Sequence, residues 1–221
     1  MVIMKKRIFI ILVILNAILL AGCSNKSNEI KENTPPKVEE NPIVEMTIKD
    51  YGAIKIELYP NIAYNTVANF VTLIEDGFYD NNTIHRVQKD FVIQGGDPTA
   101  KGNGGPGYSI KGEFAQNGFE NNLSHTTGII SMARTGEPDS AGSQFFIVLD
   151  DNAKYSLDGM YAGFGKVIEG MDILEKIEKK KFKYLDEEMG MLKNPLTIEK
   201  TTVDTKGHTY KVTKIENKKA N

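Results

Sequence analysis

Apolar and polar positions alternate in Ile54-Lys55-Ile56-Glu57-Leu58, which predicts a strand with one buried face and one charged face. A helix follows. Asn65 is expected as its N-cap, Val67, Phe70, Val71 and Ile74 recur at i, i+3, i+4 and i+7, and Gly77 falls where a C′ glycine belongs. A second helix is predicted around 171–179, with Met171, Leu174 and Ile177 on its apolar stripe. Most of the remainder is short β-like runs between glycine-bearing turns: 83–88, 91–94, 128–133, 144–149, 161–168, 197–203 and 209–212. Many short strands with two helices predict a mainly β fold, a closed antiparallel barrel. Alternation alone does not put Phe91 and Gln94 on one face; that needs a bulge or bend. The charged stretch from Lys179 to Lys193 reads as a solvated loop or helix extension. No internal repeat is present.

The N-terminal pattern is different in kind. Lys5, Lys6 and Arg7 precede an apolar run from Ile8 to Leu20, broken only by Asn16. Thirteen residues is short of the ~20 that span a bilayer, but it suits the h-region of a secretory signal. The run ends in Leu20-Ala21-Gly22-Cys23, which resembles the bacterial lipobox, and Cys23 is the only cysteine. Residues 1–22 are therefore expected to be a signal peptide, with Cys23 lipidated and the protein extracytoplasmic on the cell membrane. Residues 24–42 are polar, charged and proline-bearing, which predicts a disordered tether of about 25 Å r.m.s. reach. Residues 43–216 suffice for one domain, and 217–221 form a charged tail.

Charge narrows the partners. Removing residues 1–22 takes away three basic residues and no acidic ones, leaving 24 basic against 29 acidic, a net charge of −5. That argues against a nucleic-acid binder and leaves membrane attachment to the lipid. A monomer is expected.

Two segments carry the candidate chemistry. Ile84-His85-Arg86 is followed by Phe91-Val92-Ile93-Gln94-Gly95-Gly96-Asp97; later comes Gly142-Ser143-Gln144-Phe145-Phe146-Ile147-Val148. Together they offer a cation, two amides and several rings. An apolar hollow rimmed by an arginine and two glutamines suits a neutral peptide bond. It does not suit hydrolysis, since His85 and His125 have no nearby serine or cysteine pattern and read as structural. Phe145, on the opposite parity to Phe146, is expected in the core. The glycine-rich 102–107 is not followed by a helix pattern, so no phosphate site is expected there. Asp150-Asp151-Asn152 with Asp158-Gly159 lacks calcium-loop spacing. No metal and no cofactor are expected.

These segments resemble the two signature stretches of the cyclophilins, the cyclosporin-binding peptidyl-prolyl isomerases. His85-Arg86, His125-Thr126 with Gly128-Ile129-Ile130-Ser131-Met132-Ala133, and Leu157-Asp158-Gly159 with Phe164-Gly165-Lys166-Val167 agree and keep the family's order, from about residue 46 to about 215. The resemblance implies an eight-stranded antiparallel barrel closed by two α-helices, acting on proline-containing polypeptides. It implies Arg86 as catalytic residue, Phe91, Val92, Phe146 and Leu157 as walls of a proline pocket, and Gln94, Ala133 and Gln144 as holders of the substrate backbone. Arg134 stands where asparagine is common and Tyr161 where many members have histidine; both are candidate substrate contacts. Ser156 stands where cyclosporin-sensitive members have tryptophan, and the 133–142 loop is one residue longer than usual. Two function classes follow: an isomerase assisting the folding of secreted or surface proteins, or a chaperone-like X–Pro binding module with negligible turnover. A solute-binding lipoprotein is disfavoured, because the chain is short for a two-lobed design.

Overall fold

The structure is a computed structural model, described here for residues 36–216. Cys23, the signal segment and the tail 217–221 lie outside those residues. Among the described residues eleven strands and three α-helices occur in this order: β1 Ile43–Ile48, β2 Gly52–Leu58, α1 Tyr64–Glu75, β3 Thr83–Gln88, β4 Val92–Gly95, β5 Tyr108–Ser109, β6 Ile129–Met132, β7 Phe145–Val148, α2 Lys154–Leu157, β8 Ala162–Glu169, α3 Met171–Glu178, β9 Tyr184–Asp186, β10 Met191–Asp204 and β11 Ile215–Glu216.

Eight strands pair antiparallel in the order β1-β2-β8-β6-β7-β4-β3-β10, and β10 returns to β1, so the barrel is closed. This is the expected fold with two changes. A third, four-residue helix, α2, is present beside the two foreseen. The strand β1 also went unpredicted, although Val44, Met46 and Ile48 alternate as buried residues along it.

The inner face holds the main core. Phe70 of α1 packs its ring against Tyr79, Phe145 and Phe164, with centroids 5.0, 5.6 and 5.2 Å away. Such aromatic pairs are worth ~0.5–1.5 kcal/mol each beyond their buried area. Phe145 is thus core, as its parity implied. The outer face of β4, β7 and β6 carries a second cluster of Val92, Ile129, Phe146, Val148, Ala153 and Leu157. Adjacent residues point to opposite faces of a strand, so one Phe-Phe pair serves both clusters.

Four local expectations are corrected. Ala63, not Asn65, is the N-cap of α1, and it makes no side-chain cap. The buried Glu113 caps the helix from a distance: its carboxylate accepts from Asn65 N at 3.1 Å, Thr66 N at 2.7 Å and Thr66 Oγ1 at 2.6 Å. At the other end, Gly77 does occupy C′, with Gly77 N donating to Ile74 O and Phe78 N to Leu73 O, both at 2.9 Å. Residues 209–212 form no strand; they are anchored by ring contacts, Tyr210 lying 4.6 Å from His208 and 5.9 Å from Tyr64. The charged stretch 179–194 is not a solvated loop but contains β9 and the start of β10, a hairpin on the edge of β3. Finally, the packed chain begins ahead of residue 43. Val38 is buried, and Asn61 both accepts from its N–H at 3.0 Å and donates to its carbonyl at 2.7 Å.

Candidate active site

Register builds the site. Arg86 of β3 lies opposite Gln94 of β4, Gln94 opposite Phe146 of β7, and Phe146 opposite Ser131 of β6. Four strands thus contribute one residue each to a single line across the sheet. Arg86 joins this line because of a bulge: Ile84 to Arg86 on β3 spans two residues against one, Gly95 to Gln94, on β4. Ile84 and Val87 consequently both face the core while Arg86 faces out. Phe91 reaches the same side by another route. It lies in the turn before β4, after Asp90 at φ 56°, so strand alternation does not govern it. The Gly95-Gly96 pair then lets strands close up: Gly96 has φ 85°, and a Cβ there would sit 2.4 Å from Ser143 O.

A cavity of about 190 Å³ opens on this face, lined by Arg86, Phe91, Val92, Gln94, Ala133, Arg134, Phe146, Leu157 and Tyr161. These are the residues expected from the sequence, except Gln144. Gln144 lines an adjoining hollow of about 510 Å³, which shares Gln94, Ala133 and Arg134 with the first. It remains connected, since Gln94 Nε2 donates to Gln144 Oε1 at 3.0 Å and Gln144 Nε2 donates to Gly104 O at 2.9 Å. Leu157 comes from α2, the helix not foreseen.

The Arg86 guanidinium is gripped on three sides. Nε donates to Met189 O at 2.7 Å, one terminal nitrogen to Gln94 Oε1 at 2.9 Å, and the other to Gln88 Oε1. All three acceptors are neutral, and no ion pair among the described residues involves Arg86. Burial lowers its pKa, Tyr161 acting in the opposite sense. An arginine side chain keeps its proton in proteins, so an uncompensated positive charge stands at the rim of a cavity walled in part by Phe91, Val92, Phe146 and Leu157. Arg134 plays another part: its guanidinium carbon lies 4.9 Å from the Phe114 ring and 4.9 Å from the Tyr161 ring, and Nε donates to Met160 O at 2.9 Å. Tyr161 is held between Arg134 and Phe146, whose ring it meets edge-on at 5.4 Å.

Beneath the pocket lies an arrangement that sequence spacing concealed. Asp158 Oδ1 is 2.9 Å from His125 Nδ1, and His125 Nε2 is 2.9 Å from Ser131 Oγ. The three residues have the identities of a hydrolytic triad, although no local sequence pattern pairs His125 with a serine. Ser131 is fully buried, so its hydroxyl is closed to a substrate. The chain instead fixes His125, whose ring stacks on Phe146 at 6.0 Å and 26°. Burial lowers the His125 pKa, and Asp158 offsets only part of that. The glycine-rich 102–107 loop is also committed internally. The buried Asp97 carboxylate accepts from Thr99 N at 2.7 Å and from the Gly102 and Gly104 amides, the kind of donors an anion would need. Among the described residues no three His, Cys, Asp or Glu side chains gather into a metal site, and no helix is long and apolar enough to cross a membrane.

Comparison with known proteins agrees with this geometry. The family model for cyclophilin type peptidyl-prolyl cis-trans isomerase/CLD matches residues 43–203. Peptidyl-prolyl cis-trans isomerase B of Bacillus subtilis (strain 168) is 45% identical over 130 residues, 59% of this chain and 86% of the relative. The peptidyl-prolyl cis-trans isomerase of Helicobacter pylori is 43% identical over 157 residues, 70% of this chain and 89% of the relative. Among solved structures, the cyclophilin-type isomerase of Cryptosporidium parvum, crystallised in the presence of the dipeptide Ala-Pro, superposes with a TM-score of 0.63 at 30% identity, covering 73% of this chain and 98% of that one. A closed eight-stranded barrel, an arginine at the rim of a pocket walled by Phe91, Val92, Phe146 and Leu157, and relatives of one activity converge: the chain belongs to the cyclophilin-type peptidyl-prolyl cis-trans isomerases.

Proposed function

We propose that Arg86 is the catalytic group of this isomerase, that its substrates are X–Pro bonds in polypeptides outside the cytoplasm, and that a lipid on Cys23 holds the enzyme at a membrane. The observation that carries the catalytic reading is the Arg86 cation, held by neutral oxygens only, in the wall of a cavity that also presents Phe91, Val92, Phe146 and Leu157.

Rotation about a peptide bond is opposed by ~18–20 kcal/mol, because resonance gives the C–N bond partial double character. At X–Pro bonds the two isomers are close in energy yet exchange over tens of seconds or more. No nucleophile is needed. Twisting the amide ends its resonance and returns a lone pair to the nitrogen. Arg86 donates a hydrogen bond to that nitrogen, or to the prolyl carbonyl, more strongly in the twisted state than in the planar one. Phe91, Val92, Phe146 and Leu157 grip the proline ring while the preceding carbonyl swings. Their apolar surface also excludes water, which favours the dipolar planar ground state. Gln94 and Gln144 offer amides to the substrate backbone. The Ala-Pro dipeptide used with the Cryptosporidium relative fits proline recognition at this pocket.

Arg86→Ala is expected to lower the catalysed exchange of a short X–Pro peptide by well over tenfold, more than about 1.4 kcal/mol of transition-state stabilisation. Arg86→Lys restores only part of it, since an ammonium lacks the planar donor fork. Full activity in a folded Arg86→Ala protein overturns the mechanism. Peptide binding without measurable turnover in the unaltered protein would favour the holding-module alternative.

A further inference from the structure

The turn between β9 and β10 touches the guanidinium that the proposed mechanism uses, although it contributes nothing to the cavity wall. Its Met189 carbonyl accepts from Arg86 Nε at 2.7 Å. The turn is docked on β3 at the same place: Val87 N donates to Gly190 O at 2.9 Å, and Met191 pairs with Arg86 in register. Two further bonds set its shape, Met189 N to Asp186 Oδ1 at 2.9 Å and Gly190 N to Glu187 O at 3.2 Å. Gly190 has φ 74°, and a Cβ there would lie 2.6 Å from Val87 O and 2.9 Å from Val87 C. Both are main-chain atoms of β3, which cannot swing aside as a side-chain tip can. Gly190 is therefore what allows the turn to come close enough to deliver the Met189 oxygen.

We propose that the β9–β10 turn is a positioning element for Arg86, with the Met189 main-chain carbonyl as its working group and Gly190 as the residue that sets it. The proposal rests on Arg86 being the catalytic group. Of the five N–H bonds of a guanidinium, Met189, Gln94 and Gln88 take three and leave two for a substrate. The two glutamines hold the terminal nitrogens through side chains that can rotate. The Met189 carbonyl belongs to the main chain of a docked turn and fixes the Nε edge. A carbonyl also orients the cation without neutralising it, as a carboxylate in its place would. Preorganised charge loses its effect when it must reorient during the reaction, and a displacement of about 1 Å can lower a rate by as much as about 10²-fold.

The test compares Gly190→Ala, Asp186→Ala and the control Glu188→Ala in the full-length protein, each also combined with Arg86→Lys, which has no Nε donor. Gly190→Ala is expected to lower kcat by about tenfold or more with KM for a proline peptide little changed, and Asp186→Ala to do the same more weakly. Glu188→Ala keeps unaltered kinetics. In the Arg86→Lys background neither turn variant lowers kcat by more than about twofold, because the contact they disturb is already gone. A kcat loss of equal factor in both backgrounds, or a loss entirely in KM, overturns the proposal. So does unaltered kcat in both turn variants. Where Gly190→Ala does not fold, Asp186→Ala decides the matter by the same criteria. If Arg86→Ala itself keeps full activity, the mechanism of the preceding section fails; if Arg86→Ala is inactive while the turn variants are silent, only the positioning role fails.

Discussion

Arg86 owes its outward aim to its neighbour, since His85 occupies the bulge that shifts the strand's parity. His85 is buried, and neither ring nitrogen has a protein partner among the described residues. Burial lowers its pKa from 6.5, Asp97 opposes that, and Arg86 adds to it; His125 is lowered likewise. The sign for stability follows. Well above pH 6.5 both imidazoles are neutral, folded or unfolded, and contribute no pH dependence. As pH falls through 6.5 the unfolded chain takes up protons first, so stability drops until the lowered folded pKa values are passed, by up to ~1.4 kcal/mol per pH unit per group. Urea midpoints are expected to fall between about pH 7.5 and 5.5, and His85→Leu should flatten the dependence; equal midpoints across that range refute it. Ser156 gives a second residue-level expectation. Its hydroxyl donates to Ala153 O at 3.0 Å, and it offers no broad ring, so cyclosporin should inhibit weakly and Ser156→Trp should tighten inhibition by more than about tenfold. Tight inhibition of the unaltered protein would point instead to the neighbouring Tyr155, a residue 82% exposed.

At the scale of elements, what was legible depended on whether its cause was local. The stripe of α1 and its Gly77 stop were readable because both lie within the helix's own residues. Its cap was not, because Glu113 is 47 residues from Thr66 and no nearby sequence announces it. Glu113→Ala is expected to destabilise the fold by about 1–3 kcal/mol in urea titration, since two first-turn amides and a buried hydroxyl lose their acceptor. Glu113→Gln should lose less, and no change in either variant would mean that another group caps the helix. Parity put Phe145 and Phe146 on opposite faces, and the family resemblance said which of them faces the pocket. The β9–β10 hairpin was hidden by its lysines and carboxylates, which resemble those of a solvated loop. Its use lies in a carbonyl, and main-chain atoms leave no mark in a sequence beyond the glycine at 190 that lets them approach.

For the whole molecule, residue patterns alone gave the class of barrel and the family resemblance gave the strand number, but neither gave the third helix or the docking of Val38 against Asn61. That docking starts the folded body at Lys37, 14 residues along the chain from Cys23. If the lipid reading is right, mass spectrometry of the native N-terminus finds a lipid-modified Cys23 and no residues 1–22, and Cys23→Ser releases the protein from membranes; an unmodified thiol or cleavage elsewhere refutes it. The seam of the barrel has a consequence for timing. The strand β1 bonds to β10 through pairs running from Ile48↔Ile198 to Ile43↔Asp204, partners at least 150 residues apart. Contacts so distant along the chain make for slow folding. On any route that delivers the polypeptide N-terminus first, the earliest strand waits for nearly the last. The barrel therefore cannot close on a partly delivered chain, and a catalyst of slow cis-trans exchange begins its own existence as a late folder.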